Sequence, residues 1–77
     1  MKKENKKPNP NTVKGKVYAL CCEQVNRLLS GVTIERIDKK HPLSGLRMLR
    51  ELKKQGWIDY DVVDRARSIY FITWVRS

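Results

Sequence analysis

Apolar residues recur at helical spacing in the first third of the chain. This stretch begins after Asn11 or Thr12, either of which can cap the N-terminus of a helix. Its apolar side chains fall within an arc of roughly 140° at 100° per residue. They are Val13, Val17, Leu20, Cys21, Val25 and Leu28. The pattern predicts a first helix that ends near Ser30, with Gly31 as its stop.

The next segment predicts a short strand, a brief helix and a turn. We expect the strand to begin at Val32 and Thr33 to cap the helix that follows. The inward-facing residues of this second helix are Ile34 and Ile37. Pro42 disfavours helical geometry at the preceding residue, His41, so a turn should separate the second helix from the third.

A third helix is predicted from Ser44 to Gly56, opened by the small residues Ser44 and Gly45. Leucines at a spacing of three define its buried side, with one methionine at the margin. These residues are Leu46, Leu49, Leu52 and Met48. Gly56 ends the helix because glycine readily takes the left-handed conformation of a helix C-terminus.

Two runs rich in β-branched and aromatic residues follow, Trp57 to Val63 and Ser68 to Val75. The polar segment 64–67 between them is short enough for a hairpin loop. Alternation in the second run places two sets of side chains on opposite faces. We assign the set Tyr70, Ile72 and Trp74 to the core.

These elements predict one α+β domain over residues 12–77, preceded by a flexible basic arm over residues 1–11. The arm is rich in lysine and proline and has no large apolar residue after Met1, so it cannot offset the entropy of ordering. A chain of 77 residues leaves little apolar volume for an enclosed substrate pocket. No acid/base pair or nucleophile stands in a recognisable pattern, so an enzyme is disfavoured.

Charge narrows the choice of partner. Seventeen Lys and Arg residues against eight Asp and Glu give a formal net charge of +9, which favours a phosphate backbone as partner. The N-terminal lysines lack an apolar stripe, and no run approaches the roughly 18 apolar residues of a membrane span. The N-terminus also lacks a secretory signal pattern, so we expect a cytoplasmic protein.

The two cysteines, Cys21 and Cys22, are adjacent, which is poor geometry for a disulfide between them. We expect two free thiols, with Cys21 the better candidate for burial. With a single histidine, the chain lacks the ligands of a zinc finger, and we expect neither a metal nor a cofactor.

Arg47, Arg50 and Lys54 lie at spacings of three and four, on the side of the third helix opposite the leucines. Arginine can pair with guanine in a major groove, whereas Lys54, nearer the helix end, suits a phosphate. The alternative is an ordinary solvated face, with Glu51 neutralising Arg47 locally.

Weaker signals surround this helix. Ser44 and Gly45 either open the helix N-terminus to a phosphate or serve only as a cap and a turn. Arg65 and Arg67 flank the hairpin tip, as expected of a tip that lies along a backbone or a minor groove, although hairpin loops are often charged. Further lysines are candidates for phosphate contact or are simply solubilising. They are Lys14, Lys16, Lys39 and Lys40, with Lys2, Lys3, Lys6 and Lys7 of the arm.

The stretch Leu-Arg-Glu-Leu-Lys-Lys-Gln-Gly-Trp-Ile, residues 49–58, resembles the end of the third helix and the start of the wing in the winged helix-turn-helix superfamily. The order of elements over residues 13–75 is similar to that superfamily as well. The resemblance implies a three-helix core with a short strand and a two-stranded wing. The start of the third helix also looks like small helix-turn-helix proteins of phages and mobile elements.

This resemblance implies binding of double-stranded DNA by a transcriptional regulator or an architectural factor of recombination. Arg47 and Arg50 match recognition-helix positions, and Arg65 and Arg67 match the wing tip. The His41-Pro42 turn and the small residues Ser44 and Gly45 depart from the usual pattern, which makes backbone contact a firmer expectation than base recognition. Some winged helices instead bind RNA or serve as protein-interaction modules, so a homodimer or a protein partner stays open.

Overall fold

A computed structural model describes residues 7–76 as an α+β fold, with three helices and one three-stranded antiparallel sheet in that part of the chain. The elements are α1 (Val13–Glu23), β1 (Leu28–Ser30), α2 (Gly31–Glu35), α3 (Pro42–Lys54), β2 (Ile58–Asp64) and β3 (Ile69–Val75). In the sheet, β3 lies between β1 and β2. The predicted α+β class is therefore confirmed.

One cluster of buried side chains joins the helices to the inner face of the sheet. Leu52 of α3 and Ile72 of the central strand are fully buried within it. The cluster consists of Val17, Tyr18, Cys21, Leu29, Ile34, Leu49, Leu52, Trp57, Ile58, Tyr60 and Ile72. Because α3 and the hairpin share this core, their exposed sides hold a fixed relation to each other.

The first helix is shorter than predicted. Thr12 caps it as expected, because its hydroxyl accepts a hydrogen bond from the Gly15 N–H at 3.0 Å. The helix ends at Glu23, however, and not near Ser30. Asn26 takes the left-handed conformation with φ of 63°, and its N–H donates to the Ile72 carbonyl at 2.7 Å. Pairing with β3 thus draws the following residues into a strand and overrides their helical spacing.

The second helix begins earlier than predicted. Val32 lies inside α2, so the expected strand at this residue is wrong. The cap is Ser30 and not Thr33, because the Ser30 hydroxyl accepts from the Val32 N–H at 3.2 Å. Ile34 faces the core and is fully buried, as predicted.

The third helix matches the prediction except at its start. It begins at Pro42, two residues before Ser44, since proline is well suited to the first helical position. Asp38 shapes the preceding turn by accepting hydrogen bonds from the N–H groups of Lys40 and His41 at 3.2 and 3.3 Å. The helix ends at Lys54, and the predicted buried side is confirmed by Leu49 and Leu52, with Leu46 and Met48 partly buried beside them.

The hairpin is also confirmed, but one assigned core residue is wrong. Ile72 is buried as predicted, whereas Trp74 is 47% exposed. Asp59 pairs with Trp74 while the next residue, Tyr60, pairs with Ile72, so Thr73 is an extra residue in β3. This bulge reverses the alternation and turns Trp74 to the outer face.

The described end of the predicted arm lies against α1. Pro8 is buried, and the Asn9 carbonyl accepts from the Thr12 N–H at 3.0 Å. Residues 1–6, with Lys2, Lys3 and Lys6, lie outside the described residues.

Cys21 and Cys22 are both free thiols, the first buried and the second exposed, as predicted. Burial is the main reason why the pKa of Cys21 rises to about 12, with the neighbouring Cys22 contributing.

Candidate nucleic-acid interface

The side of α3 that points away from the core carries four exposed residues, Leu43, Arg47, Arg50 and Lys54. Spacings of four, three and four place them within about 60° of one another around the helix. We call them the helix-3 ridge. The three cations are as predicted, and Leu43, with 75% of its surface exposed, was missed because the helix was expected to start at Ser44.

Within residues 7–76, the cations of this ridge have no carboxylate as an ion-pair partner. The ion pairs formed among residues 7–76 join Asp38 to His41, Asp59 to Lys53, and Asp64 to Arg67. None of them includes a cation of the helix-3 ridge. Glu51, the carboxylate expected to neutralise Arg47, makes no ion pair within the same part of the chain. Three positive charges on one exposed face are therefore free to attract an anion.

Ser44 and Gly45 have different surroundings at the start of α3. Ser44 and Arg47 line one depression of about 270 Å³, together with His41 and Leu43. Gly45 is buried, and a Cβ atom at this position would lie 2.6 Å from the carbonyl oxygen of Ile34. Its small size therefore serves the close packing of α3 on α2. Gly45 is thus not exposed at the start of the helix, and the phosphate contact suggested for it stays a prediction.

The hairpin tip presents two arginines in different environments. Both Arg65 and Arg67 are exposed. The Arg67 side chain lies 3.8 Å from the carboxylate of Asp64, which also accepts from the Arg67 N–H at 3.1 Å. Within residues 7–76, Arg65 has no ion pair. Of the two predicted tip residues, Arg65 is thus the one whose charge is not already balanced.

Two contacts hold the hairpin in place beside the helices. The Gly31 N–H at the start of α2 donates to the Ser68 carbonyl at 2.7 Å, and a Cβ atom on Gly31 would meet the Ser68 Cβ atom at 2.7 Å. On the other side, the Lys53 ammonium donates to the Tyr60 carbonyl at 3.0 Å and lies 4.5 Å from the Tyr60 ring centroid. The sequence interpretation did not identify these two structural roles.

Arg50 and Arg65 meet across a groove of about 250 Å³ between α3 and the hairpin. The other residues that line it are Tyr60, Val62 and Tyr70. The two tyrosine rings pack edge to face with centroids 5.3 Å apart. We call this site the α3–hairpin groove. The groove thus connects Arg50 of the helix-3 ridge with Arg65, the hairpin-tip arginine that makes no ion pair within residues 7–76.

The predicted lysines are more widely spread. Lys39 and Lys40 are exposed in the turn before α3. Lys14 is half-buried on α1, while Lys16 lines a separate depression between α1 and α2, together with Thr33. The structure therefore does not bring all predicted basic residues into one site.

A second exposed surface lies on the side of the sheet opposite the core. Strand pairing sets Leu28 beside Phe71 and Phe71 beside Asp61, and it sets Trp74 beside Asp59. We call these five residues the outer sheet face. Leu28 is 59% exposed and both aspartates are exposed. This surface is apolar in its centre and acidic along β2.

Three further features of the described residues were compared with what a catalytic site, a metal site or a membrane span requires. A cleft of about 620 Å³ between residues 7–10 and α1 contains Tyr18 and Cys22, but its described lining includes no histidine or carboxylate. In residues 7–76, no three His, Cys, Asp or Glu side chains are grouped to hold a metal ion. The helices described there are all too short or too polar to cross a membrane.

Comparison of the chain with protein-family models, with curated proteins and with solved structures finds no match.

Proposed function

We propose that this protein binds double-stranded DNA as a small winged helix. In this proposal α3 enters the major groove and the β2–β3 hairpin is the wing, with Arg65 and Arg67 along the adjacent backbone or minor groove. The order of the helices and strands, with β3 between β1 and β2, is compatible with a winged helix. A transcriptional regulator or an architectural factor of recombination would use such a domain.

The observation that carries the proposal is the placement of charge. The helix-3 ridge has three cations that make no ion pair with the described residues, and the α3–hairpin groove extends this positive surface to Arg65. A protein partner would favour an apolar patch on α3, but among the side chains described on that helix Leu43 alone is both apolar and highly exposed. A continuous cationic surface across a helix and a hairpin is suited to a duplex backbone.

Residues at the start of α3 are the best placed to contact base edges. Arg47 can pair bidentately with guanine, and Leu43 offers an apolar contact to a thymine methyl group. Lys54 at the far end of α3, with Lys39 and Lys40 in the turn, is assigned to phosphates. The lysines of the N-terminal arm add affinity without sequence preference.

A titration of random-sequence duplexes at two salt concentrations tests this function. If about six phosphates are contacted, affinity should fall roughly a thousandfold between 50 and 200 mM salt. Double-stranded and single-stranded RNA of the same length are the matched controls and should bind more weakly. Salt-independent binding, or the absence of binding to every nucleic acid at low salt, would contradict the proposal, and preferential RNA binding would identify an RNA-binding module.

A second candidate function is a protein-interaction module, and the outer sheet face favours it. Exposed tryptophan beside other apolar residues is typical of protein contacts, and the carboxylate of Asp61, which makes no ion pair within residues 7–76, repels a phosphate backbone. This face can serve a homodimer or another protein while α3 contacts DNA. Sedimentation over a wide concentration range tests the homodimer, which Trp74→Ser should weaken.

A further inference from the structure

The α3–hairpin groove combines opposed cations with a rigid aromatic floor. Arg50 forms the helix side and Arg65 the hairpin side, and Val62 pairs with Tyr70 across the two strands. Tyr60 is buried and is fixed through its carbonyl by Lys53. The two arginines therefore face a common space from elements that the core holds together.

The chemistry of this lining selects an anion. The described lining of the groove includes no carboxylate, and within residues 7–76 neither arginine has an ion pair. Burial raises the pKa of the Tyr60 hydroxyl and the nearby Tyr70 adds to this increase, whereas Arg50 acts in the opposite direction. Arginine presents a planar set of N–H donors that matches the oxygens of a phosphate, and two arginines can share one such group.

Position along α3 distinguishes Arg50 from Arg47. Arg47 lies in the depression formed with His41, Leu43 and Ser44, whereas Arg50 lies in the groove beside the hairpin. The two arginines were expected to act together on base edges because they share one side of the helix. Their different surroundings assign them to different parts of a duplex.

We propose that one phosphodiester of the duplex backbone sits in the α3–hairpin groove, bound by Arg50 and Arg65 together. This inference rests on the proposed DNA binding and specifies its anchor point. Arg50 then fixes the position of α3 on the backbone, and base discrimination falls to Arg47. A phosphate in this groove links α3 and the wing, so the two elements bind as one unit.

A double-mutant cycle tests the shared phosphate. Arg50→Ala and Arg65→Ala should each weaken duplex binding roughly tenfold, as expected for loss of a charged hydrogen bond. The double variant should lose well under the roughly hundredfold product, because both arginines bind the same group. Arg36→Ala removes the same charge from the separate depression between α1 and α2, so it is the matched control and should have little effect.

Duplexes with a single methylphosphonate locate the phosphate. At one position in the duplex, the methylphosphonate should weaken binding of the parent protein. On that same duplex, Arg50→Ala and Arg65→Ala should cause no further loss. The effect of Arg47→Ala should persist at that position. Multiplicative losses in the double variant, or a change of base preference on Arg50→Ala, would overturn the inference while leaving duplex binding itself intact.

A titration with inorganic phosphate separates failure of the groove from failure of DNA binding. The side-chain Nε–H signals of Arg50 and Arg65 should shift together in NMR spectra, whereas that of Arg36, which follows α2 and lines the separate depression with Lys16, should not. If no duplex binds at all, the proposed function is wrong, and joint shifts would still support an anion site in the groove. If neither signal shifts and the double-mutant cycle shows no coupling between Arg50 and Arg65, the groove is not an anion site and the inference is wrong.

Discussion

The helix-3 ridge and the outer sheet face are both exposed, yet they differ in the charges that surround them. The ridge carries Arg47, Arg50 and Lys54 without an ion pair in the described chain, whereas the outer sheet face places Asp59 and Asp61 beside apolar side chains. The excess positive charge of this protein is thus unevenly distributed. Net charge alone supports solubility as well as nucleic-acid binding, and its placement is what distinguishes the partners.

The two faces also differ in the elements that adjoin them. The ridge is continued by Arg65 through the α3–hairpin groove, and Lys53 and Gly31 fix the hairpin that carries this arginine. The outer sheet face is the exposed side of three strands and has no helix packed on it within residues 7–76. We therefore propose a duplex as the partner of the first surface and a protein as the partner of the second.

The largest expected effect comes from the core that supports both faces. Leu49→Ala should lower the free energy of unfolding by about 2 to 5 kcal/mol, because it leaves a cavity in place of the removed part of a buried side chain. Leu43→Ala on the same helix is the matched control and should change stability by less than about 0.5 kcal/mol. Urea denaturation measures both variants. If the two variants were equally stable, Leu49 would not lie on the buried side of α3, and the assignment of buried and exposed sides of this helix would be wrong.

The next effect concerns specific DNA binding through the ridge alone. Arg47→Ala should weaken binding to a preferred sequence by about 1 to 3 kcal/mol more than binding to random duplex, for the loss of one base contact. Trp74→Ser on the outer sheet face should leave both affinities unchanged. Fluorescence anisotropy with both duplexes provides the comparison. A uniform loss across sequences would make Arg47 a backbone contact, and an equal loss with Trp74→Ser would end the distinction between the faces.

The smallest effect is on salt dependence. Lys54→Ala should reduce the slope of log affinity against log salt by about 1, because one phosphate contact is lost. Asp61→Asn changes the net charge by one unit in the opposite direction, on the outer sheet face, and should leave the slope unchanged. Duplex titrations at four salt concentrations measure the slopes. A change in the Asp61→Asn variant of the same size as that of Lys54→Ala, but of opposite sign, would show that overall charge, rather than its placement, governs binding.

The sequence predicted those parts of the fold that depend on local spacing. Leu49 and Leu52 repeat on one side of α3, so the helix and its buried side could be read from the chain. The end of α1 could not, because Asn26 and Leu28 are drawn toward β3 by hydrogen bonds to residues distant in sequence. Trp74 was assigned to the wrong face because a bulge at Thr73 breaks the alternation.

The candidate site was predictable to a similar extent. The three ridge cations followed from helical periodicity, and Leu43 would have followed as well had the helix been started at Pro42. The placement of Arg50 and Arg65 in one groove depends on the tertiary fold and has no signature in local spacing. The burial of Gly45 against Ile34 and the pairing of Arg67 with Asp64 likewise depend on the three-dimensional arrangement.

The central claim is that nucleic acid binds the helix-3 ridge and the α3–hairpin groove, and leaves the outer sheet face uncovered. Backbone amide signals followed by NMR during titration with a short duplex at low salt test it most directly. We expect the largest shifts over residues 43–54 and 65–67, with little change at Leu28, Asp61 and Trp74. Shifts concentrated on the outer sheet face, or no shifts in any described residue, would contradict the claim.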